Sequence, residues 1–257
     1  MTATAIFELL ACVLALVAAI FIFDQYRERP RPYKLLWTLG LVFYGIASGA
    51  VVAAELGHWN VGELKAWYFF GGVLTAAYLG LGSLYLLAPG RVARWAVAVA
   101  AVFTVYAGPR MLFLPIAAAE SARLATLSTA AVTGTEFRAL IPADVVVITI
   151  LMNTAGALFL IGGAVWSAWT FYQKHAPGYR LTSMVLLALG GFFPTILTGL
   201  QRFGYSGGAA LGEFLGAACI LTGLLVSYDV FTVFRVPFTH VVLLDRQRPV
   251  GTATPRG

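Results

Sequence analysis

The sequence predicts an all-α fold, a polytopic seven-transmembrane-helix bundle, on three observations. Of 257 residues, 60% are hydrophobic and 11% are charged, and the mean hydropathy is +0.85. Soluble domains hold about 45–50% apolar and about 25% charged residues, so too few polar side chains remain to clothe a water-facing surface. Seven apolar runs, at 5–23, 35–56, 66–88, 95–117, 145–172, 181–200 and 209–234, approach the roughly 20 residues that a helix needs to cross a bilayer. Finally, Lys and Arg alternate in density from loop to loop, as the positive-inside rule requires of a threaded bundle.

The first run carries Glu8 and no preceding positive charge, which sets an outside N-terminus; without a basic n-region it does not read as a cleaved signal peptide. The second run follows a basic, proline-bearing loop and places Gly45, Gly49 and Ala53 on one face. The third does the same with Gly72, Ala76 and Gly80, and the seventh with Gly208, Gly212 and Gly216. Small faces let helix backbones approach, which matters where lipid supplies no hydrophobic drive between helices. The fourth run contains Gly108-Pro109-Arg110 and Pro115, so its helix is expected to stop near Ala107 and continue along the interface. An outer loop at 118–144, rich in Ala, Thr and Ser, has room for a short amphipathic helix. The sixth run contains Pro194, which kinks a helix by removing a donor. Thr195 and Thr198 stand ready to re-satisfy the freed carbonyl. Residues 1–234 thus form the transmembrane domain, and 235–257 a short basic cytoplasmic tail, disordered after about Arg248.

Orientation follows from the 17 Lys and Arg. Arg27, Arg29, Arg31 and Lys34 fall on one side, with Arg91 and Arg94, Lys174 and Arg180, and four arginines of the tail. The other side holds Lys65, Arg110, Arg123, Arg138 and Arg202. The richer side is cytoplasmic, so the protein is N-out and C-in, a multi-pass protein of the cytoplasmic membrane. Tryptophans agree: Trp37, Trp95, Trp166 and Trp169 lie at inner ends, Trp59 and Trp67 at outer ends, as an aromatic belt should. Spans one to three and five to seven also sit at a nearly constant offset. Phe69-Phe70-Gly71-Gly72 matches Phe214-Leu215-Gly216-Ala217 in register, which predicts a parallel 3+1+3 pseudo-repeat of the kind transporters use.

Charged groups within a bilayer are costly and are functional candidates. Glu8, Glu55, Arg110, Arg202 and Glu213 all belong to the outer third, and they come from different helices. With Asn153 they form the predicted ligand-binding set, converging on an outward-facing polar vestibule in which Arg110 pairs Glu213 or Glu8. Tyr68 and Gln201 are further hydrogen-bonding candidates. Asp229, near the inner end of span seven, reads as an ion-pair partner of Arg235 or Arg94. Cys12 and Cys219 lie in apolar runs and read as small buried thiols.

Catalytic readings find little support. Gly204-Tyr205-Ser206-Gly207-Gly208 is a literal G-x-S-x-G, but it joins two membrane helices instead of a strand and a helix. Its G-x-S-G portion is similar to the serine motif of rhomboid intramembrane proteases. The chain lacks that family's paired early histidines and its later intramembrane histidine, since His58, His175 and His240 are all outside the spans. The same placement excludes bis-imidazole haem ligation within the bundle. No P-loop, C-x-x-C or H-E-x-x-H occurs. Seven helices with an outside N-terminus resemble opsins in architecture, yet Lys34, Lys65 and Lys174 offer no mid-span Schiff base. A basic Pro-containing loop followed by Trp37-Thr38-Leu39-Gly40 and Trp67-Tyr68-Phe69-Phe70-Gly71-Gly72 resembles bacterial multi-pass proteins, a resemblance that brings no activity.

The expected protein is non-enzymatic, with no cofactor, metal or nucleic-acid partner. It binds a small solute or lipid through the vestibule, for sensing or transport. The alternative is a non-catalytic accessory subunit of a larger membrane complex. Expected partners are the bilayer, that ligand, and a membrane-protein partner or a second copy of the chain.

Overall fold

The computed structural model describes residues 2–133, 140–175, 178–202, 208–226, 233–235 and 242–245. Its helices are α1 (Ala3–Glu28), α2 (Pro32–Leu56), α3 (Val61–Leu87), α4 (Gly90–Leu112), α5 (Ala118–Leu124), α6 (Thr129–Thr133), α7 (Ala143–Gln173), α8 (Gly178–Arg202) and α9 (Gly208–Val226). Seven of these, all but the short α5 and α6, hold a segment long and apolar enough to cross a membrane. The architecture is that of a multi-pass membrane protein. A short antiparallel ribbon, β1 (Val233–Arg235) with β2 (Val242–Asp245), follows the last helix.

Six of the long helices close a ring. α1 packs on α2 and α9, α2 on α3, α3 on α7, α7 on α8, and α8 on α9. α4 stays outside, against α3 and α7. We call the end that holds Thr2, Glu55, α5 and α6 the upper end.

α1 starts where the Thr2 hydroxyl accepts from Ala5 N–H at 3.1 Å, filling an orphan donor of the first turn. Its buried stripe runs Glu8, Ala11, Ala15, Ala18 and Ile22 at three- and four-residue spacing. The opposite face, with Ile6, Leu9, Val13 and Ile20, stays exposed for lipid. α2 answers with Trp37, Leu41, Tyr44, Ser48 and Val51 in the same rhythm. Trp37 Nε1 donates to the Leu79 carbonyl of α3 at 3.2 Å.

α3 opens with a reciprocal cap. Asn60 Oδ1 accepts from the N–H groups of Gly62 and Glu63, and Glu63 Oε2 accepts from Asn60 N–H. It then widens into a π-helical stretch at Trp67–Thr75. Such widening leaves carbonyls without helical donors, and side chains supply them: Thr75 Oγ1 donates to Phe70 O at 2.9 Å, and Asn153 of α7 donates to Gly72 O.

The glycines mark where backbones touch. A methyl on Gly80 would run into the Gly156 backbone, and one on Gly156 into Ala76. α3 and α7 therefore cross with nothing between them. Between α8 and α9, a methyl on Gly216 would stand 2.8 Å from the Gly190 carbonyl. That carbonyl is the one Pro194 leaves without its helical donor. Thr195 bonds instead to Gly191 O, at 2.7 Å. Ser183 Oγ ties the same helix pair together lower down, donating to Gly223 O at 2.7 Å. The predicted small faces are thus used inside the bundle: Gly45 meets Leu16, Gly49 meets Cys12, and Gly212 meets Leu197.

Three expectations change. α4 does not stop near Ala107; it runs through Pro109 to Leu112. The last span does not run to Phe234 as expected: α9 is described as far as Val226, and Val233–Arg235 is a strand. Nor are all tryptophans a belt. Trp95 is 74% exposed, but Trp37 and Trp59 are 5% and 2% exposed. Both are core residues whose N–H groups have internal acceptors, Leu79 O and Thr129 Oγ1. Sequence position gives depth in the bilayer; it does not say which side of a helix faces lipid.

Candidate functional site

The upper end of the ring brings two of the predicted carboxylates together. Glu8 projects from the buried stripe of α1 and is 3% exposed. It lies against Glu213, from the second turn of α9, and Ser48 of α2. Ser48 is fully buried and donates to Glu213 Oε2 at 3.3 Å. Tyr44, one turn below Ser48, donates to the Glu213 main-chain carbonyl at 2.7 Å. That bond fixes the turn of α9 from which the carboxylate projects. Glu213 itself is partly buried.

A cavity of about 40 Å³ opens onto this pair. Its other walls include the threonines Thr4, Thr129 and Thr198, and the indole of Trp67. The space suits a few waters or one small ion. Glu8 Oε2 is buried at its edge and has no hydrogen-bond partner among the described residues. A buried polar atom left in that state asks for an explanation. The helices above are well anchored. Trp59 Nε1 donates to Thr129 Oγ1 at 3.0 Å and its ring meets Trp67 edge-on. Lys65 Nζ donates to the Leu112 and Leu114 carbonyls at 3.0 and 2.8 Å. Below the cavity the ring is sealed by hydrocarbon. Trp37, Leu41, Leu79, Leu160, Leu187 and Leu224, from five helices, line no more than a small void of about 10 Å³.

The other predicted residues go elsewhere. Arg110 does not pair Glu213 or Glu8. It forms a bidentate pair with Asp144, Nε to Oδ2 at 3.0 Å and Nη2 to Oδ1 at 3.1 Å, and Tyr106 donates to the same Oδ2 at 2.6 Å. The reason is placement: α4 lies outside the ring, so its last turn meets the start of α7 and never reaches α1 or α9. Glu55 accepts from Thr2 Oγ1, tying the end of α2 to the start of α1. Asn153 donates to Gly72 O and, at 3.1 Å, to Thr149 O, so its amide is engaged in the α3–α7 contact. Arg202 ends α8; its side chain, with that of Gln201, falls outside the described residues, as do Asp229, Ser206 and His240.

Ser48, Tyr44, Thr129 and Trp67 were not among the predicted set. Ser48 and Tyr44 had a signal: both lie on the α2 stripe that must face α1. Thr129 and Trp67 had none, because the fold of the outer loop is what brings them to the cavity. Chemically the site offers two carboxyl groups, hydroxyls and an indole. Among the described residues, no group of three or more His, Cys, Asp and Glu gathers as a metal site. Comparison with protein-family models, with curated proteins and with solved structures found no match.

Proposed function

We propose that this is a non-enzymatic membrane protein of the bacterial cytoplasmic membrane that binds a small solute at the upper-end cavity, for transport or sensing. The observation that carries the reading is the cavity itself, which ends on the Glu8–Glu213 pair and is closed below by the apolar plug. With the N-out, C-in orientation that the arginine distribution favours, the cavity is an outward-facing vestibule. A few convergent polar groups in an otherwise apolar wall are the chemistry of a ligand site, and about 40 Å³ limits its occupant to the size of a small ion.

Transport is favoured over simple sensing by the pseudo-repeat. Exchanging α1–α2–α3 with α7–α8–α9 maps every neighbour pair of the ring onto another: α1·α2 onto α7·α8, α2·α3 onto α8·α9, and α3·α7 onto α9·α1. Any ring closed in chain order has this property, so it is compatible with the parallel pseudo-repeat that the matching register favours, an arrangement in which two halves rock about a common axis. The accessory-subunit reading has one observation of its own: α4 stands outside the ring, against α3 and α7, leaving a flank for lipid or another protein.

Gentle-detergent purification followed by native mass spectrometry tests both. A lone chain with a retained small solute, lost in Glu213→Ala, is the expected result. A protein partner at fixed stoichiometry and no solute would replace the vestibule reading with the subunit one.

A further inference from the structure

We propose that Glu8 and Glu213 hold a single proton between them and give it up to a small monovalent cation that enters the cavity. The inference deepens the vestibule reading and rests on it.

Glu8 Oε2 is buried without a donor, and the group beside it is another acid. Two ionised carboxylates cannot share such a place cheaply, since like charges repel and neither is solvated. The nearby donors relieve little of this. Ser48 has a single hydrogen within reach of both carboxylates and gives it to Glu213 Oε2, and Tyr44 gives its own to a backbone carbonyl. Among the described residues, the titratable groups facing the pair are Tyr44 and Glu55 from α2 and Cys12 from α1, and none of them brings a positive charge. Arg110, the cation expected to pair with one of these acids, is committed to Asp144. One proton placed on either acid turns the repulsion into an O–H···O hydrogen bond and leaves the pair with a net charge of about −1.

That charge is the key to the ligand. Replacing the proton by a monovalent cation leaves the net charge unchanged, so the buried site pays no further electrostatic cost. A divalent ion would change the charge and would also need six or more oxygens, or a nearly complete water shell. Two carboxylates and the threonine hydroxyls of a cavity of about 40 Å³ suit an ion the size of sodium, potassium or ammonium. Balance is simple: the cation binds the two carboxylates, the O–H bond breaks heterolytically, and the proton leaves to water through the cavity.

The second triplet of helices supplies a contrast. In the register set by Phe69–Gly72 and Phe214–Ala217, Glu8 falls on Asn153 and Glu213 on Tyr68. Asn153 is also a buried-side polar group on the equivalent helix, yet it is a neutral amide bonded to a backbone carbonyl. Packing at this position is served by an amide. The acid pair adds chemistry that packing does not ask for.

The test uses the full-length protein in detergent, lightly buffered near neutral pH, with a pH-sensitive dye. Sodium, potassium or ammonium chloride is added against choline chloride at equal ionic strength. The expected result is release of about one proton per chain with at least one of the three small cations and none with choline. Glu8→Gln and Glu213→Gln should each abolish it while eluting as the wild type does; Glu8→Asn, which copies the second triplet, serves if Glu8→Gln aggregates. No release from the wild type with any of the three, or undiminished release from a folded Glu8 variant, overturns the proposal. A neutral solute retained in mass spectrometry without proton release would leave the vestibule standing and overturn the exchange alone.

Discussion

Glu8 occupies a place on α1 where every neighbour along the stripe is alanine or isoleucine. The sequence showed this: an acid at three- and four-residue spacing from Ala11, Ala15, Ala18 and Ile22 must face whatever those residues face. That Glu8 and Glu213 share the outer third was also legible, but their pairing was not, since the expected partner of either was Arg110. Its distance from Arg110 was not, because no local pattern says which helix of seven stands outside the ring. Trp37 makes the same point, since its depth was readable and its burial was not. Glu8→Gln should leave the thermal midpoint in detergent close to the wild-type value at neutral pH. The amide N–H donates to Glu213 in place of the shared proton, so the pair keeps one hydrogen bond and the same net charge. Asn153→Leu should lower it, by about 1 kcal/mol for the interhelical bond to Gly72 O. Both are read by thermal denaturation followed by tryptophan emission, and a Glu8→Gln protein less stable than wild type would contradict the first.

At the scale of elements, the bundle is held by close crossings more than by polar links. α3 and α7 meet at Gly80 and Gly156, and α8 and α9 at Gly190 and Gly216. Gly156→Val and Gly216→Val should each splay a helix pair, because the added carbons meet backbone that cannot rotate away. Loss of monodisperse protein on size-exclusion chromatography is the expected outcome, while Gly162→Ala, with open space at that position, should elute as wild type. The small faces were visible in sequence, but their partners were not: a glycine stripe says that something comes close and leaves open what it is. The π-helical stretch of α3 was invisible for a different reason. It shows no special residue, and is recognised only by the carbonyls that Thr75 and Asn153 serve.

For the whole molecule, the arginine distribution predicts which water each loop sees. In a chain without Cys12 and Cys219, a cysteine introduced at His58 should react with a membrane-impermeant maleimide on intact cells, and one at Gly90 should react only after lysis. Labelling at Gly90 in intact cells would invert the topology and turn the vestibule inward. The apolar plug makes a separate prediction. Leu79→Ser with Leu187→Ser should speed the collapse of a pH gradient imposed across proteoliposomes, since polar groups in a narrow constriction favour wetting. The proposed pseudo-repeat would also give the odd helix a reason. A unit of three helices crosses a membrane an odd number of times, so a tandem copy joined directly to it would enter upside down. One extra crossing restores the original sense. α1 and α7 both begin at the upper end because α4 intervenes. On that reading α4 is a parity corrector, needed for the direction of the chain that follows it and placed outside the ring.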